Sequence, residues 1–162
     1  MTELIYIQQE GWLMDEVRKL FREYEMELDE NLCFQSFEDE LKDPLKYYGP
    51  PKGVLYLAKW NNEVAGCVAL KPLRNASNSH SRDCEMKRLY VKPHYRKHKI
   101  GKVLVEQLIK DAQMLGYTKM KLDTLEKLQP AIGLYKQYGF VETTAYYENP
   151  LDEVVYMEKD LV

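Results

Sequence analysis

The sequence lacks the apolar segments that mark membrane-spanning and exported proteins. No apolar run approaches the roughly 18 residues of a membrane helix, and residues 1–5 contain no basic segment followed by an apolar one. The sequence also lacks an excess of positive charge, since it has 23 basic and 26 acidic residues and a net charge of −3. Nucleic-acid binding through a basic surface is therefore excluded. We expect a cytoplasmic protein that contacts neither nucleic acid nor membrane.

Cysteine is scarce as well, and the pattern of the few cysteines excludes a common kind of metal site. Cys33, Cys67 and Cys84 are widely spaced and form no CxxC pair beside a histidine cluster. We expect small buried side chains with reduced thiols, and no cysteine nucleophile. The motifs GxGxxG and GxxxxGK followed by Ser or Thr are missing too, which argues against the nucleotide-binding α/β domains that carry them.

What is present is a clear alternation of strand and helix patterns over 162 residues, a length that suits one domain. The helical patterns lie at Leu13–Leu28, Ser36–Asp43, Ile100–Leu115 and Ala131–Tyr138. The strand patterns lie at Leu4–Ile7, Val54–Trp60, Glu63–Leu70, Cys84–Val91, Thr118–Thr124, Phe140–Thr144 and Val154–Glu158. This order predicts an α/β fold with a mixed sheet and helices on both faces.

Three local signals refine these elements. Ser36 precedes its helix and is predicted to be the N-cap. Asn61-Asn62 separates two strands and predicts a two-residue hairpin turn, since asparagine tolerates positive φ. Met86, Leu89 and Val91 do not alternate along Cys84–Val91, so a bulge between Met86 and Leu89 is needed to put them on one face. The polar stretch Arg74–Asp83 predicts a loop.

A basic loop joins the strand Cys84–Val91 directly to the helix that begins near Ile100. A helix amino terminus presents unpaired N–H groups and a partial positive charge, which suits phosphate or pyrophosphate. Gly101 allows a ligand to approach the first turn closely. The positive side chains around this turn are Arg96, Lys97, Lys99 and Lys102. The residues fit equally well a solvated basic loop before an ordinary helix.

Two segments resemble motifs of the GNAT (GCN5-related N-acetyltransferase) superfamily. Arg96-x-x-Lys99-x-Gly101 resembles its acyl-CoA motif, Arg/Gln-x-x-Gly-x-Gly/Ala. Lys99 stands where glycine is usual, and a lysine can occupy right-handed helical geometry there. The segment Ala131–Phe140 resembles the family's Ala-x-x-Leu-Tyr-x-x-x-Gly-Phe. The stretch Glu85–Val91, with Leu122-Asp123-Thr124, further resembles a bacterial branch of small-molecule acetyltransferases.

The resemblance implies an acetyl-CoA:amine N-acetyltransferase with no metal, whose fourth strand is bulged and splays from the fifth. It implies that Tyr135 is the general acid, with Tyr138 a weaker competitor for that role. Leu89, Tyr90 and Val91 are implied to hold the pantetheine arm and the thioester carbonyl. The pyrophosphate is implied to lie against Arg96, Lys97, His98, Lys99, Ile100, Gly101 and Lys102, with Tyr135 and Tyr138 also near the cofactor.

The acceptor side is less defined by the sequence. Glu85 and Asp123 are candidates for a general base, although for each one singly strand-edge solvation or an ion pair with Lys87 or Lys121 is the preferred explanation. The tyrosine pair 146–147 with Asn149-Pro150 fits either an acceptor wall or a packed turn. An acidic run could attract a cationic amine, but its spacing favours a solvated helix face. Its members are Glu23, Glu25, Glu27, Asp29, Glu30, Glu38, Asp39 and Glu40.

The expected acceptor is a primary amine, and a small molecule is favoured. The sequence does not identify it, so an amino acid, a polyamine, an aminoglycoside and a protein N-terminus all stay open. The alternative is a module that senses acyl-CoA without turnover. Members of the family are often dimers, which makes a homodimer an expectation as well.

Overall fold

A computed structural model describes residues 1–73 and 82–162. Within these residues the strands are β1 (Thr2–Tyr6), β2 (Val54–Trp60), β3 (Glu63–Pro72), β4 (Asp83–Val91), β5 (Lys119–Leu125), β6 (Val141–Glu142) and β7 (Val154–Asp160). The helices are α1 (Trp12–Leu28), α2 (Phe37–Lys42), α3 (Pro44–Tyr48), α4 (Ile100–Met114) and α5 (Gln129–Gln137). Short 3₁₀ turns cover Cys33–Gln35 and Pro93–His98. In this part of the chain no helix combines the length and hydropathy needed to cross a membrane.

The strands form one mixed sheet in the order β1-β2-β3-β4-β5-β7-β6. β4 and β5 pair in parallel, and the other neighbouring strands pair antiparallel. Helices cover both faces, because each helix buries one apolar stripe against the sheet. On one face α4 and α5 contribute Leu104, Leu108 and Ile132, and on the other α1 and α3 contribute Phe21 and Tyr48. The predicted mixed α/β architecture is confirmed.

The predicted hairpin turn between β2 and β3 is confirmed by its backbone angles. Asn61 and Asn62 have φ of 47° and 69°, and the flanking residues Trp60 and Glu63 pair directly. Positive φ at both central positions matches the twist of the strands that the turn connects.

The second helix departs from the sequence prediction. Ser36 adopts left-handed geometry with φ of 57° and makes no capping hydrogen bond through its side chain. It ends the turn Cys33–Gln35, so its backbone serves to reverse the chain before α2 begins. Ser36 does occupy the predicted N-cap position, where its carbonyl accepts from the Glu40 N–H at 3.0 Å, but its side chain does not cap the helix. The short helix α3 was not predicted. The predicted loop Arg74–Asp83 lies mostly outside the described residues, and Asp83 already belongs to β4.

Two of the three cysteines are buried as expected. Cys67 and Cys84 are fully buried, and burial raises the pKa of both thiols. Cys33 is exposed, which corrects the prediction for that residue. It lies at the start of a surface 3₁₀ turn, where the chain buries none of its side chains.

The predicted bulge lies in β4. Between the pairs Cys67↔Tyr90 and Ala69↔Lys87, β3 advances by two residues while β4 advances by three. Arg88 absorbs the extra residue with φ of 60°. Consequently the neighbours Lys87 and Arg88 both reach toward Gln35, on the side of α1 and α2.

The splay of β4 from β5 is confirmed by the register of the pair. The two strands pair only at Asp83↔Lys119, Cys84↔Met120 and Glu85↔Lys121. β4 continues to Val91 and β5 to Leu125, so beyond Glu85 the two strands separate. The candidate site lies in this wedge.

Candidate active site

A cleft of about 700 Å³ lies between the end of β4, the amino end of α4, and the helices α1 and α5. Predicted cofactor-binding residues lie on its wall: Leu89, Tyr90, Val91, Arg96, Lys99, Gly101 and Lys102. α1 contributes Tyr24 and Glu27 to the lining, and Lys127 also lines the cleft. The cleft therefore joins the unpaired part of β4 to the start of α4.

The amino end of α4 presents free backbone donors to this cleft. The first intrahelical bond runs from the Val103 N–H to the Lys99 carbonyl at 3.3 Å, so the N–H groups of residues 100–102 have no acceptor inside the helix. Gly101 lines the cleft, and a methyl group in its place would meet the Leu134 side chain at an ordinary 3.4 Å.

Lys99 has φ of 59° and ψ of 29° at this helix start. The expected right-handed geometry is wrong. Lysine here takes the left-handed conformation that glycine adopts most readily, in keeping with the glycine usual at this position of the motif. Its side chain is exposed and carries a positive charge at the rim of the cleft.

Arg96 ties the loop before α4 to α1. Its Nε donates to the Val91 carbonyl at 2.8 Å, and its Nη2 bonds both oxygens of Glu27 at 2.6 and 2.7 Å. Its guanidinium also lies 5.7 Å from the centre of the Tyr90 ring. Glu27 is thus paired at the mouth of the cleft, which corrects the interpretation of this α1 face as merely solvated.

Other predicted cofactor contacts have side chains that lie away from the cleft wall. His98 stacks on Trp60, with ring centres 4.0 Å apart, and Lys97 is exposed. Ile100 is buried in the core beneath α4. The Tyr138 hydroxyl donates to Glu106 on α4 at 3.0 Å, so Tyr138 lines neither this cleft nor the cavity beside it.

A smaller cavity of about 50 Å³ adjoins the cleft in the wedge between β4 and β5. Leu89 on the bulged strand β4 and Ala131 on α5 line both spaces. The small cavity and the large cleft are therefore adjacent. Tyr135 lines the small cavity and packs edge-on against Phe140 at 5.8 Å. Burial raises the pKa of the Tyr135 hydroxyl well above its usual value. The hydroxyl therefore holds its proton at neutral pH.

The two predicted bases occupy different places. Asp123 lines the small cavity, where its Oδ2 accepts hydrogen bonds from the Tyr147 hydroxyl and from Asn149 Nδ2 at 2.8 Å. Its Oδ1 accepts no hydrogen bond from the described residues. Glu85 lies where β4 and β5 still pair, is 3% exposed, and lines neither space. It accepts from the Tyr146 hydroxyl at 2.6 Å.

The two tyrosines of the turn at residues 146–149 donate hydrogen bonds to these two carboxylates: Tyr146 to Glu85 and Tyr147 to Asp123. Burial is the main cause that raises the pKa of Tyr147, and the negative charge of Asp123 is the second. For Tyr146 the main cause is also burial, and the second is the negative charge of Glu85. Both phenols therefore remain protonated donors. Of the turn residues, Asn149 lines the small cavity itself, which supports the predicted wall.

Sequence patterns missed the polar wall that β4 and the turn before α2 build together. Arg88 Nη1 and Lys87 Nζ donate to Gln35 Oε1 at 2.8 and 3.1 Å. Gln35 Nε2 donates to the Tyr147 hydroxyl at 3.0 Å, and that hydroxyl donates to Asp123. A continuous hydrogen-bonded chain thus connects β4 to β5 across the wedge. Its signal in the sequence was the adjacent charged pair 87–88 in the middle of a strand.

The positive charge of Arg88 is neutralised within the protein by Glu40. It forms a two-pronged ion pair with Glu40 at 2.8 and 3.0 Å, and both side chains are at most 3% exposed. The Tyr48 hydroxyl donates to the same carboxylate at 2.7 Å. Glu40 belongs to the acidic run assigned to solvent, so that interpretation is wrong for this residue. The pair fixes α2 against the bulge of β4.

Comparisons with known proteins agree with this geometry. A profile of the acetyltransferase (GNAT) family matches residues 14–140. An uncharacterized N-acetyltransferase of Schizosaccharomyces pombe is 43% identical over 149 residues, which cover 91% of this chain and 88% of that protein. The fold resembles an acetyltransferase of Streptococcus agalactiae, with a TM-score of 0.79, 22% identity and 98% coverage of each chain.

A second structural neighbour is a Bacillus subtilis acetyltransferase in complex with CoA, with a TM-score of 0.69, 20% identity and complete coverage of both chains. Similar proteins thus occur in a eukaryote and in bacteria, and the narrower bacterial branch stays a prediction. The family profile spans most of the chain, the yeast protein matches over nearly its whole length, and the overall fold is shared with solved acetyltransferases. The chain therefore belongs to the GNAT family of acetyltransferases.

Proposed function

We propose that the chain transfers the acetyl group of acetyl-CoA to the primary amine of a small acceptor by direct attack. The observation that carries this is the continuity of two spaces at the splay of β4 and β5. The large cleft ends at the free donors of α4, and the small cavity beside it holds a protonated phenol and a carboxylate. Both cores pack on one sheet, which supports a single catalytic domain.

The donor fits the large cleft. Beyond Glu85 the edge of β4 has no β5 partner, so a pantetheine arm can pair with the strand backbone at Leu89 and Val91 as an added strand would. The pyrophosphate then meets the N–H groups of residues 100–102 at the start of α4. Lys99 and Lys102 add positive charge at the rim.

Starting from the ammonium form, the chemistry requires two protons to leave the nitrogen and one to reach the thiolate. Asp123 lines the acceptor side and has an oxygen free to receive the ammonium proton, directly or through water. The neutral amine attacks the thioester carbon and the new N–C bond forms. The nitrogen then releases its second proton to water as the C–S bond breaks. Tyr135 donates its proton to the departing thiolate and recovers one from solvent.

Direct transfer agrees with the positions of the cysteines. Cys67 and Cys84 are buried, line neither space and have raised thiol pKa values, so they are poor nucleophiles. Cys33 is exposed and lines neither space as well. The position of Tyr135 also supports turnover over an acyl-CoA sensor without activity.

The test is a matched pair of tyrosine variants. Tyr135→Phe removes only the hydroxyl, and we expect turnover to fall at least about tenfold, the lower part of the range for a general acid, with CoA affinity unchanged. Tyr138→Phe is the control, because its hydroxyl bonds Glu106 outside the site. Thiol release with a panel of amines measures both. Near-wild-type turnover in Tyr135→Phe would show that another group protonates the thiolate.

A further inference from the structure

Lys87 is a buried positive charge without a matching negative one. The residue is 8% exposed and lines the small cavity. Its Nζ makes one hydrogen bond, to the neutral Gln35 Oε1 at 3.1 Å, and forms no ion pair with any described residue. An ammonium group has three donors, so two remain unused on the wall of the cavity.

The neighbouring charges are already committed elsewhere. Arg88 is neutralised by Glu40, and Glu85 faces the Tyr146 hydroxyl and Lys71, whose Nζ is 3.6 Å from its carboxylate. Burial is the largest influence on Lys87 and lowers its pKa. The positive charges of Arg88 and Lys71 also lower this pKa, while Glu85 and Asp123 oppose these effects. Burying an ammonium group without a counter-ion is costly, and such residues concentrate at functional sites.

The opposite wall carries the complementary charge. Asp123 on β5 uses Oδ2 for Tyr147 and Asn149 and leaves Oδ1 without a described partner. Across the wedge, therefore, one wall offers a cation with free donors and the other an anion with a free acceptor. At roughly 10–15 Å³ for each water-sized group, the cavity of about 50 Å³ admits about four such groups.

We propose that the acceptor is a small amino acid or similar amino-carboxylate, whose carboxylate binds Lys87 Nζ and whose amine lies toward Asp123 Oδ1. This inference rests on the proposed function and names the acceptor class of the same site. The carboxylate accepts the two unused donors of Lys87, and the amine is then held beside the opening to the donor cleft. Side chains of the acceptor extend along the apolar wall formed by Leu28, Leu32 and Leu151.

The experiment compares α-amino acids with their primary amides as acceptors for the wild-type enzyme, with acetyl-CoA as donor and mass spectrometry of the products. Each pair shares its side chain and its amine and differs in the carboxylate alone. The amide amine loses its proton more readily, so intrinsic reactivity favours the amide. We expect the free amino acid of at least one pair to be preferred by about 10- to 100-fold in kcat/KM, the range of a charge-assisted hydrogen bond.

Lys87→Met retains length and removes the charge. We expect it to abolish that preference by lowering kcat/KM for the amino acid, with the amide unchanged and CoA affinity by calorimetry unchanged. Lys71→Met is the matched control, because Lys71 also neighbours Glu85 but lines neither space, and it should keep the preference. Should Lys87→Met fail to fold, the wild-type comparison of acid and amide still decides.

Amides or other carboxylate-free amines acetylated as well as the amino acids, or a preference that survives in Lys87→Met, would overturn the inference while leaving the acetyltransferase function intact. A different outcome separates the two proposals. If no amine releases thiol and calorimetry shows no CoA binding, the proposed function fails, and the inference fails with it.

Discussion

Replacing Lys99 with glycine should stabilise the fold, because Lys99 occupies a left-handed backbone conformation at the start of α4. The side chain is exposed and makes no hydrogen bond to the described residues. No hydrogen bond of its side chain to the described residues therefore offsets the energetic cost of the left-handed conformation, which the chain adopts because it must reverse direction before α4. The substitution removes the Cβ that makes this geometry unfavourable, and it matches the motif's usual residue.

The size of the effect follows from two opposing contributions. For a residue with a side chain, left-handed geometry costs roughly 1–2 kcal/mol, whereas glycine adopts it freely. Glycine gives back roughly 0.4–1 kcal/mol through its more flexible unfolded chain. We expect a net gain of about 1 kcal/mol, which raises Tm by about 2–4 °C in a chain of this size.

Thermal unfolding of Lys99→Gly and Lys99→Ala measures this contribution. Both variants lose the same ammonium group, but alanine keeps a Cβ and therefore keeps the strain, so only glycine should raise Tm. CoA affinity should fall equally in both, since the lost charge is the same. Equal Tm values for the two variants would show that the backbone at residue 99 relaxes without cost and would refute the reasoning.

Two further predictions concern the donor cleft. Glu27→Gln frees Arg96 from its ion pair at the rim. Because exposed pairs contribute roughly 0.2–1 kcal/mol, CoA affinity measured by calorimetry should rise by up to about fivefold. Glu25 faces Arg22 instead, so Glu25→Gln should leave CoA affinity unchanged, and equal affinities in the two variants would contradict this role of the Arg96–Glu27 pair. Gly101→Asp places a carboxylate against the pyrophosphate and should weaken CoA binding more than about tenfold, whereas Gly101→Ala meets only an ordinary contact with Leu134 and should bind nearly as well as the wild type.

The elements that the sequence predicted well are those whose signal is local. The turn at Asn61-Asn62, the stripe of α4 and the bulge of β4 each follow from residues within one short segment. The bulge was predictable because Met86 and Leu89 share a face only if one extra residue lies between them. The motif around Arg96 and Gly101 likewise placed the donor cleft at the start of α4.

The features that the sequence did not predict depend on partners far apart in the chain. Arg88 and Glu40 are 48 residues apart, and Gln35 and Tyr147 are 112 residues apart. No periodicity connects such segments, because their contact is set by how α2 and the turn at residues 146–149 pack against the sheet. For the same reason the sequence did not predict that Tyr138 and Glu85 lie outside both spaces while Tyr135 and Asp123 line the small cavity.

The bulge of β4 links the fold to the proposed specificity. Without the extra residue, alternation would turn Arg88 toward the apolar core beneath α4 and Leu89 toward α1. With it, two adjacent cations face the wedge, and among residues 1–73 and 82–162 only Arg88 of the two has a carboxylate partner. A fold under selection for stability alone would pair or remove Lys87, since an apolar residue of similar size is cheaper to bury. Under the proposed specificity, the carboxylate of the acceptor supplies the anion that Lys87 lacks among the described residues.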